Sequence, residues 1–163
     1  MTTSPSILER PVYGVAEAAG LLGLRSDRAR AWLDGYERSG VRYPPVIREE
    51  STKEDLVTWG EFVELGYLRE YRRTGIPLQQ LRPVIEELRR VFKTPYPLAT
   101  ARPYVFGKEL VLEAQERHDL PSSIAIVVRS GQQILLADPA KQFFKKVEFE
   151  AAGGGGEILR IRP

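Results

Sequence analysis

The 163-residue sequence contains no cysteine and a single histidine, His118. The lack of cysteine excludes disulfides, thiolate zinc sites and cysteine nucleophiles, and one histidine excludes a multi-histidine metal site. No apolar run approaches the roughly 18 residues of a membrane span, and no basic stretch followed by an apolar segment opens the chain. We therefore expect a cytoplasmic protein without membrane association, metal or cofactor.

The sequence also lacks a catalytic set. An enzyme needs a nucleophile with a base, a metal or a phosphate cradle. His118 and Asp119 are adjacent and could form at most an acid–base pair, although a solvated histidine is the simpler interpretation. The glycine run 153–156 lacks the Lys-Ser/Thr of a phosphate-binding loop and favours a hairpin loop. We expect no enzymatic activity.

Periodicity and proline placement divide the chain. Residues 1–12 read as a flexible N-terminus, and residues 13–93 are mostly helical with one hairpin. From residue 94 the character changes, because Pro95, Pro97 and Pro103 forbid a continuous helix. Residues 94–163 then read as a small β-rich unit with strand-like runs at 104–106, 110–112, 124–128, 134–136, 147–150 and 157–161. The predicted fold class is α+β.

Two short helices at the N-terminus predict a helix-turn-helix. In the first, four apolar residues recur at helical spacing: Val15, Ala18, Ala19 and Leu22. Gly23 suits the left-handed residue that ends a helix, and Ser26 suits the N-cap of the next. The second helix turns Ala29, Trp32 and Leu33 inward.

The second helix is the predicted DNA-reading element. Its N-terminal residues, Arg25, Ser26 and Arg28, would face base edges in the major groove, with Arg30 at the margin. Arginine suits this position because it can fork onto guanine or pair with phosphate. A solvated basic face on an ordinary helical hairpin is the alternative.

A wing is predicted after the second helix. Val46-Ile47 and Leu56-Val57 flank a polar stretch from Arg48 to Asp55, which reads as a two-stranded hairpin. Arg48 and Lys53 suit contacts with the DNA backbone. Four acidic residues in the same stretch oppose a tip lying deep against phosphate: Glu49, Glu50, Glu54 and Asp55.

Two longer helices follow. Thr58 and Glu61 form the pattern of a capping box, and Pro77 opens the last helix of the unit. An apolar stripe with nearly heptad spacing runs along that last helix: Leu81, Ile85, Leu88 and Phe92. The stripe predicts either a dimerisation seam or packing within the chain.

The segments 13–24 and 29–32, together with 56–73 and 75–88, resemble the helices of MerR-type regulators. In that resemblance Arg30 falls on an arginine that commonly contacts the DNA backbone. A narrower resemblance, carried by 57–69, 94–100 and the β-rich remainder, is to VapB-type antitoxins with a MerR-like domain. It implies a protein that represses its own operon and has a partner toxin of the PIN-domain ribonuclease class. We expect such a regulator to bind operator DNA as a homodimer, because two copies can read two half-sites.

Members of that group usually continue into a further small helical domain. The end of this chain at residues 160–163 is therefore consistent with a piece of a longer protein that lacks part of the toxin contact. Two other functions stay open. One is a MerR-like regulator whose β-rich unit senses a small molecule or protein, and the other is a protein-interaction scaffold that binds no DNA.

Overall fold

The structure is a computed structural model that describes residues 6–100, 107–120, 125–138, 141, 143, 145–149 and 158–161. The expected strand 104–106 and the glycine run 153–156 lie outside the described residues. The helices are α1 (Val15–Leu21), α2 (Ser26–Asp34), α3 (Trp59–Arg73), α4 (Leu78–Phe92) and α5 (Lys108–Arg117). The strands are β1 (Pro11–Gly14), β2 (Tyr36–Arg38), β3 (Val41–Tyr43), β4 (Leu56–Thr58), β5 (Val127–Ser130), β6 (Gln133–Leu136), β7 (Val147–Phe149) and β8 (Ile158–Ile161). The predicted α+β class is confirmed.

The α1–α2 pair is the predicted helix-turn-helix. After α1, Gly23 adopts φ +66°, and the Leu24 amide donates to the Ala19 carbonyl over 2.8 Å, as in a Schellman cap. The prediction that Ser26 caps α2 was wrong by one residue. The cap position belongs to Arg25, whose side chain makes no capping hydrogen bond, and Ser26 is the first helical residue.

The wing prediction was wrong in position. The hairpin is formed by β2 and β3 around Ser39 (φ +52°) and Gly40 (φ +76°), the two positive φ angles of a type I′ turn. Val46 and Ile47 form no strand because their amides donate to the Trp32 carbonyl and their own carbonyls accept from Arg89. β4 pairs antiparallel with β1 instead.

The N-terminal segment also departs from expectation. Residues 1–12 were expected to be flexible, yet Leu8 lies in a 3-10 turn (Ile7–Glu9) and is 2% exposed. This turn packs against α3, and β1 begins at Pro11. Burial of Leu8 and pairing of β1 with β4 explain why residues 6–14 adopt a defined conformation.

Helix α3 is the centre of the core. It begins with the predicted capping box, since the Glu61 amide donates to Thr58 Oγ1 (3.2 Å) and the Thr58 amide donates to Glu61 Oε1 (2.9 Å). Every residue from Gly60 to Leu68 is buried. Such all-round burial requires packing partners on every side of the helix.

Helix α4 supplies one of those partners and corrects the predicted seam. Leu81, Ile85 and Leu88 are at most 1% exposed and belong to the chain's own core. Phe92 is partly buried against the same core. These side chains cannot meet a second copy without unpacking the chain, so the stripe is core packing and no dimer seam.

The C-terminal residues continue the same core beyond the expected boundary at 93/94. Leu98, Val111, Ile126 and Phe143 are buried in one cluster with α3 and α4. The expected strand 110–112 was wrong, because these residues lie in α5. Within the described residues, strands β6, β7 and β8 lie at the runs expected at 134–136, 147–150 and 157–161, and the run expected at 124–128 overlaps β5, which begins at Val127. β5 pairs with β6 and β7 pairs with β8.

Glycines let this part approach α3 closely. A Cβ on Gly66 would lie 2.3 Å from Phe143 Cζ, and a Cβ on Gly60 would lie 2.6 Å from Tyr96 Cγ. Both aromatic rings therefore occupy notches that only glycine leaves open. Within the described residues, no helix is long and apolar enough to cross a membrane.

Candidate nucleic-acid interface

An open basic cleft lies between α2, the β2–β3 hairpin and the end of α3. Four arginines from these elements line it: Arg25, Arg28, Arg38 and Arg72. Asp27, Ala31, Trp32, Tyr36 and Leu78 complete its wall. We call this surface the basic cleft. It joins the start of the predicted reading helix to a hairpin that lies beside it.

Helical and strand periodicity explain why these side chains meet. Arg25 and Arg28 are three residues apart and fall on one side of α2, while Ala29 and Leu33 anchor its other side in the core. On the hairpin, Arg38 shares a face with Tyr36, two residues earlier. The rings of Tyr36 and Tyr43 stack with centroids 4.6 Å apart, which stiffens the hairpin near α2.

Arg30 lies away from the cleft. Two residues along a helix correspond to about 200°, so Arg28 and Arg30 point to opposite sides of α2. Arg30 Nη2 donates to Asp55 Oδ1, and the Arg30 side chain remains 48% exposed. The structure therefore separates two arginines that the sequence grouped as one DNA-contacting set.

Arg48 is an interior residue, which corrects its assignment to a DNA-contacting wing. Its side chain is 7% exposed, and it donates from Nε to Glu61 Oε2 (2.6 Å) and from Nη1 to Asp34 Oδ1 (2.8 Å). It also donates to the carbonyls of Glu54 and Leu56. Burial by itself lowers the pKa of Arg48, but the bonds to Glu61 and Asp34 raise it above its ordinary value.

Lys53 is exposed but is not among the residues that line the basic cleft. It sits at φ +56° in the irregular segment before β4, and its amide donates to Asp34 Oδ1 over 3.1 Å. That carboxylate also accepts from the Thr52 amide and from Arg48. The expected wing tip is thus a loop folded onto a buried ion pair.

Sequence reasoning missed Arg38 and Arg72. The signal for Arg38 was present, since Ser39-Gly40 is a turn dipeptide flanked by alternating residues of the hairpin. Arg72 carried no local signal. It reaches the cleft because its helix ends beside α2, where Arg72 Nη1 donates to the Ile76 carbonyl over 2.6 Å.

Helix α3 also carries a buried acid, Glu64. Glu64 is 1% exposed, and its Oε2 accepts from the Leu98 amide over 3.1 Å. Burial raises the pKa of Glu64 to about 8, against the lowering effects of Arg89 and the Leu98 amide. Among the described residues, no group of three or more His, Asp or Glu side chains could hold a metal ion.

Comparison with known proteins agrees with the N-terminal architecture. Residues 11–85 match a family model described as "Putative DNA-binding HTH domain". The crystal structure of Rv2018 from Mycobacterium tuberculosis superposes with a TM-score of 0.66 over 90% of this chain and 68% of that one, at 22% identity, and therefore shares the fold. The N-terminal part is a helix-turn-helix domain.

Two curated relatives come from Mycobacterium tuberculosis (strain ATCC 25618 / H37Rv). "Uncharacterized protein Rv2308" is 42% identical over 132 residues, which are 80% of this chain and 55% of that protein. "Putative antitoxin VapB45" is 26% identical over 153 residues, which are 85% of this chain and 63% of that protein. The chain thus spans less than two thirds of the length of both relatives.

Proposed function

We propose that this chain binds operator DNA through the basic cleft, as the DNA-binding part of an antitoxin that represses its own operon. The observation that carries the proposal is the convergence of Arg25, Arg28, Arg38 and Arg72 on one open face. Three separate elements deliver these arginines to the start of a helix that packs as the second member of a helix-turn-helix.

The arrangement suits duplex DNA. A helix of this kind enters the major groove with its N-terminal residues toward base edges, which places Arg25 and Arg28 at the bases. The hairpin would then serve as the wing, with Arg38 near a phosphate. A helix-turn-helix, a wing and two further helices are also the order of elements that a MerR-like domain implies.

The antitoxin part of the proposal rests on the relative named "Putative antitoxin VapB45", whose similarity extends over 85% of this chain. The proposed partner is a PIN-domain ribonuclease encoded beside this reading frame. Repression of the shared operon would follow from operator binding, and such a role would place the protein in the cytoplasm.

We also propose that the DNA-bound form is a homodimer, because two copies can read two half-sites one helical turn apart. The contact must use a surface other than the stripe on α4, which is buried. Light scattering of the protein, alone and with duplex, measures the number of copies per complex. One copy per duplex at saturation would contradict the dimer.

DNA binding is tested with a duplex from the region upstream of the protein's own reading frame. Fluorescence anisotropy at increasing salt should give an affinity that falls linearly on a logarithmic scale. Arg28→Ala should weaken binding, whereas Arg129→Ala, which removes an exposed arginine from β5, should not. No binding at low salt, or equal affinities for Arg28→Ala and wild type, would remove the DNA role.

Toxin pairing needs its own experiment. The adjacent reading frame's product is co-expressed with the chain and purified through a tag on one partner, and its ribonuclease activity is measured with and without the chain. Stable co-purification with inhibition supports the antitoxin role. A stable complex combined with absent DNA binding would favour the interaction scaffold instead.

A further inference from the structure

Arg25 is held by a carboxylate from its own helix turn. Arg25 Nε donates to Asp27 Oδ1 and Arg25 Nη2 donates to Asp27 Oδ2, both over 3.2 Å. The Arg28 amide donates to Asp27 Oδ1 over 2.9 Å, which fixes the carboxylate itself at the start of α2. One side of the Arg25 guanidinium is therefore engaged in a two-point contact.

The opposite edge of this guanidinium remains available. No described residue accepts a hydrogen bond from Arg25 Nη1, and the Arg25 side chain is 81% exposed. An arginine whose Nε side is occupied presents Nη1 and Nη2 end-on, as a fork of two parallel donors. Guanine offers two acceptors at matching spacing in the major groove, N7 and O6.

From this geometry we infer that Asp27 is a positioning residue that aims Arg25 at a guanine; the inference rests on the proposed DNA-binding function. An acid in the first turn of α2 stabilises the helix through its dipole, but that effect does not need the two-point contact with Arg25, and an exposed ion pair by itself contributes little to folding stability. A carboxylate beside the groove also repels phosphates. Asp27 therefore favours a base contact by Arg25 over a phosphate contact and raises specificity at the expense of non-specific affinity.

The test compares wild type, Asp27→Asn and Arg25→Ala on a duplex that the wild-type protein selects from a randomised pool. Each base pair of that duplex is then replaced in turn, and the loss of affinity is measured. Asn at position 27 can still accept from the Arg28 amide but loses the charge and the second anionic acceptor. Glu17→Gln, the same change of charge on exposed α1, is the control.

For wild type, one G·C pair should show a loss of roughly ten- to a hundredfold on replacement, as a bidentate arginine contact gives. Asp27→Asn should reduce the loss at that pair to a few-fold and leave the other positions unchanged. Its binding to unrelated duplex should rise, with a salt dependence steeper by about one unit because Arg25 now meets a phosphate. Glu17→Gln should keep the wild-type preference.

The double variant supplies the remaining check. If Asp27 acts through Arg25, then Asp27→Asn adds no further loss of preference to Arg25→Ala. Full discrimination by Asp27→Asn, or an equal loss at all positions, would overturn the positioning role. A wild-type protein that selects no sequence from the pool would instead remove the proposed function itself, so the two failures are distinguishable.

Discussion

The basic cleft and the ion cluster around Arg48 use the same side chain in opposite surroundings. Arg25 is 81% exposed beside one carboxylate, whereas Arg48 is 7% exposed between two. The exposed guanidinium can exchange water for a phosphate or base at little cost. The buried Arg48 cannot leave its partners, because Asp34 and Glu61 would then lack a counter-charge. Its role is therefore to hold the loop before β4 against α2 and α3.

The largest effect on stability is expected from substitution of the buried arginine, Arg48. Arg48→Ala leaves Asp34 and Glu61 without their cation, and removal of one partner of a buried ion pair typically costs about 3–5 kcal/mol. Urea unfolding should show a lower midpoint with an unchanged slope. Arg28→Ala is the control on the exposed face. A loss of stability equal to that of the control would contradict the interior role of Arg48.

The next effect concerns Glu64, whose burial raises its pKa from an ordinary value of 4.5 to about 8. The native state therefore binds a proton that the unfolded chain releases, and stability falls as pH rises from about 4.5 to about 8. Glu64→Gln should remove this dependence, so it should be more stable than wild type above pH 8 and similar to it near pH 4.5. Thermal unfolding across this range measures the difference.

Glu86→Gln, at an exposed position of α4, is the matched control for the change of charge. It should keep the wild-type dependence on pH. A wild-type stability that rises between pH 5 and pH 8, with Glu64→Gln following the same curve, would show that Glu64 is ionised in the native state.

A third prediction separates the two faces of the hairpin. Arg38 lines the cleft, and Arg42 belongs to the opposite face, where its register partner is Glu37. Both are exposed, so alanine at either should change stability by less than about 0.5 kcal/mol. Arg38→Ala should reduce the slope of the salt dependence of DNA binding by about one, as expected for a lost phosphate contact, and Arg42→Ala should leave it unchanged. Identical slopes for both variants would contradict the wing assignment.

The sequence pattern was sufficient to predict features that depend only on interactions between neighbouring residues. The Gly23 turn and the capping box of Thr58 and Glu61 were predicted correctly because each depends on neighbouring residues. The wing was misplaced because Leu56–Thr58 pairs with Pro11–Gly14, more than forty residues earlier, and alternation within a segment does not identify a distant partner.

The same limit explains the misassigned arginine. Arg48 is buried because Asp34 and Glu61, at 14 and 13 residues away in sequence, converge on it. Nothing within its own segment distinguishes it from an exposed arginine such as Arg38. Sequence reasoning identified the helix that carries Arg25 and Arg28, whereas the wall formed by Arg38 and Arg72 required the tertiary arrangement.

The smallest effect is expected for Arg30, whose exposure lies between that of the buried Arg48 and that of the exposed Arg25. The Arg30 side chain is 48% exposed and forms an ion pair with Asp55. Two roles are distinguishable: a purely structural ion pair, and a contact between Arg30 and a DNA phosphate. An exposed ion pair contributes about 0–1 kcal/mol, and a double-mutant cycle of Arg30→Ala and Asp55→Ala should return a coupling in that range. If the pair is only structural, Asp55→Ala leaves DNA affinity unchanged. If Asp55 holds Arg30 back from a phosphate, Asp55→Ala tightens binding and Arg30→Ala abolishes that gain. We expect the second outcome, because Arg30 keeps a 48% exposed side chain on the reading helix; equal affinities for wild type and Asp55→Ala would contradict it.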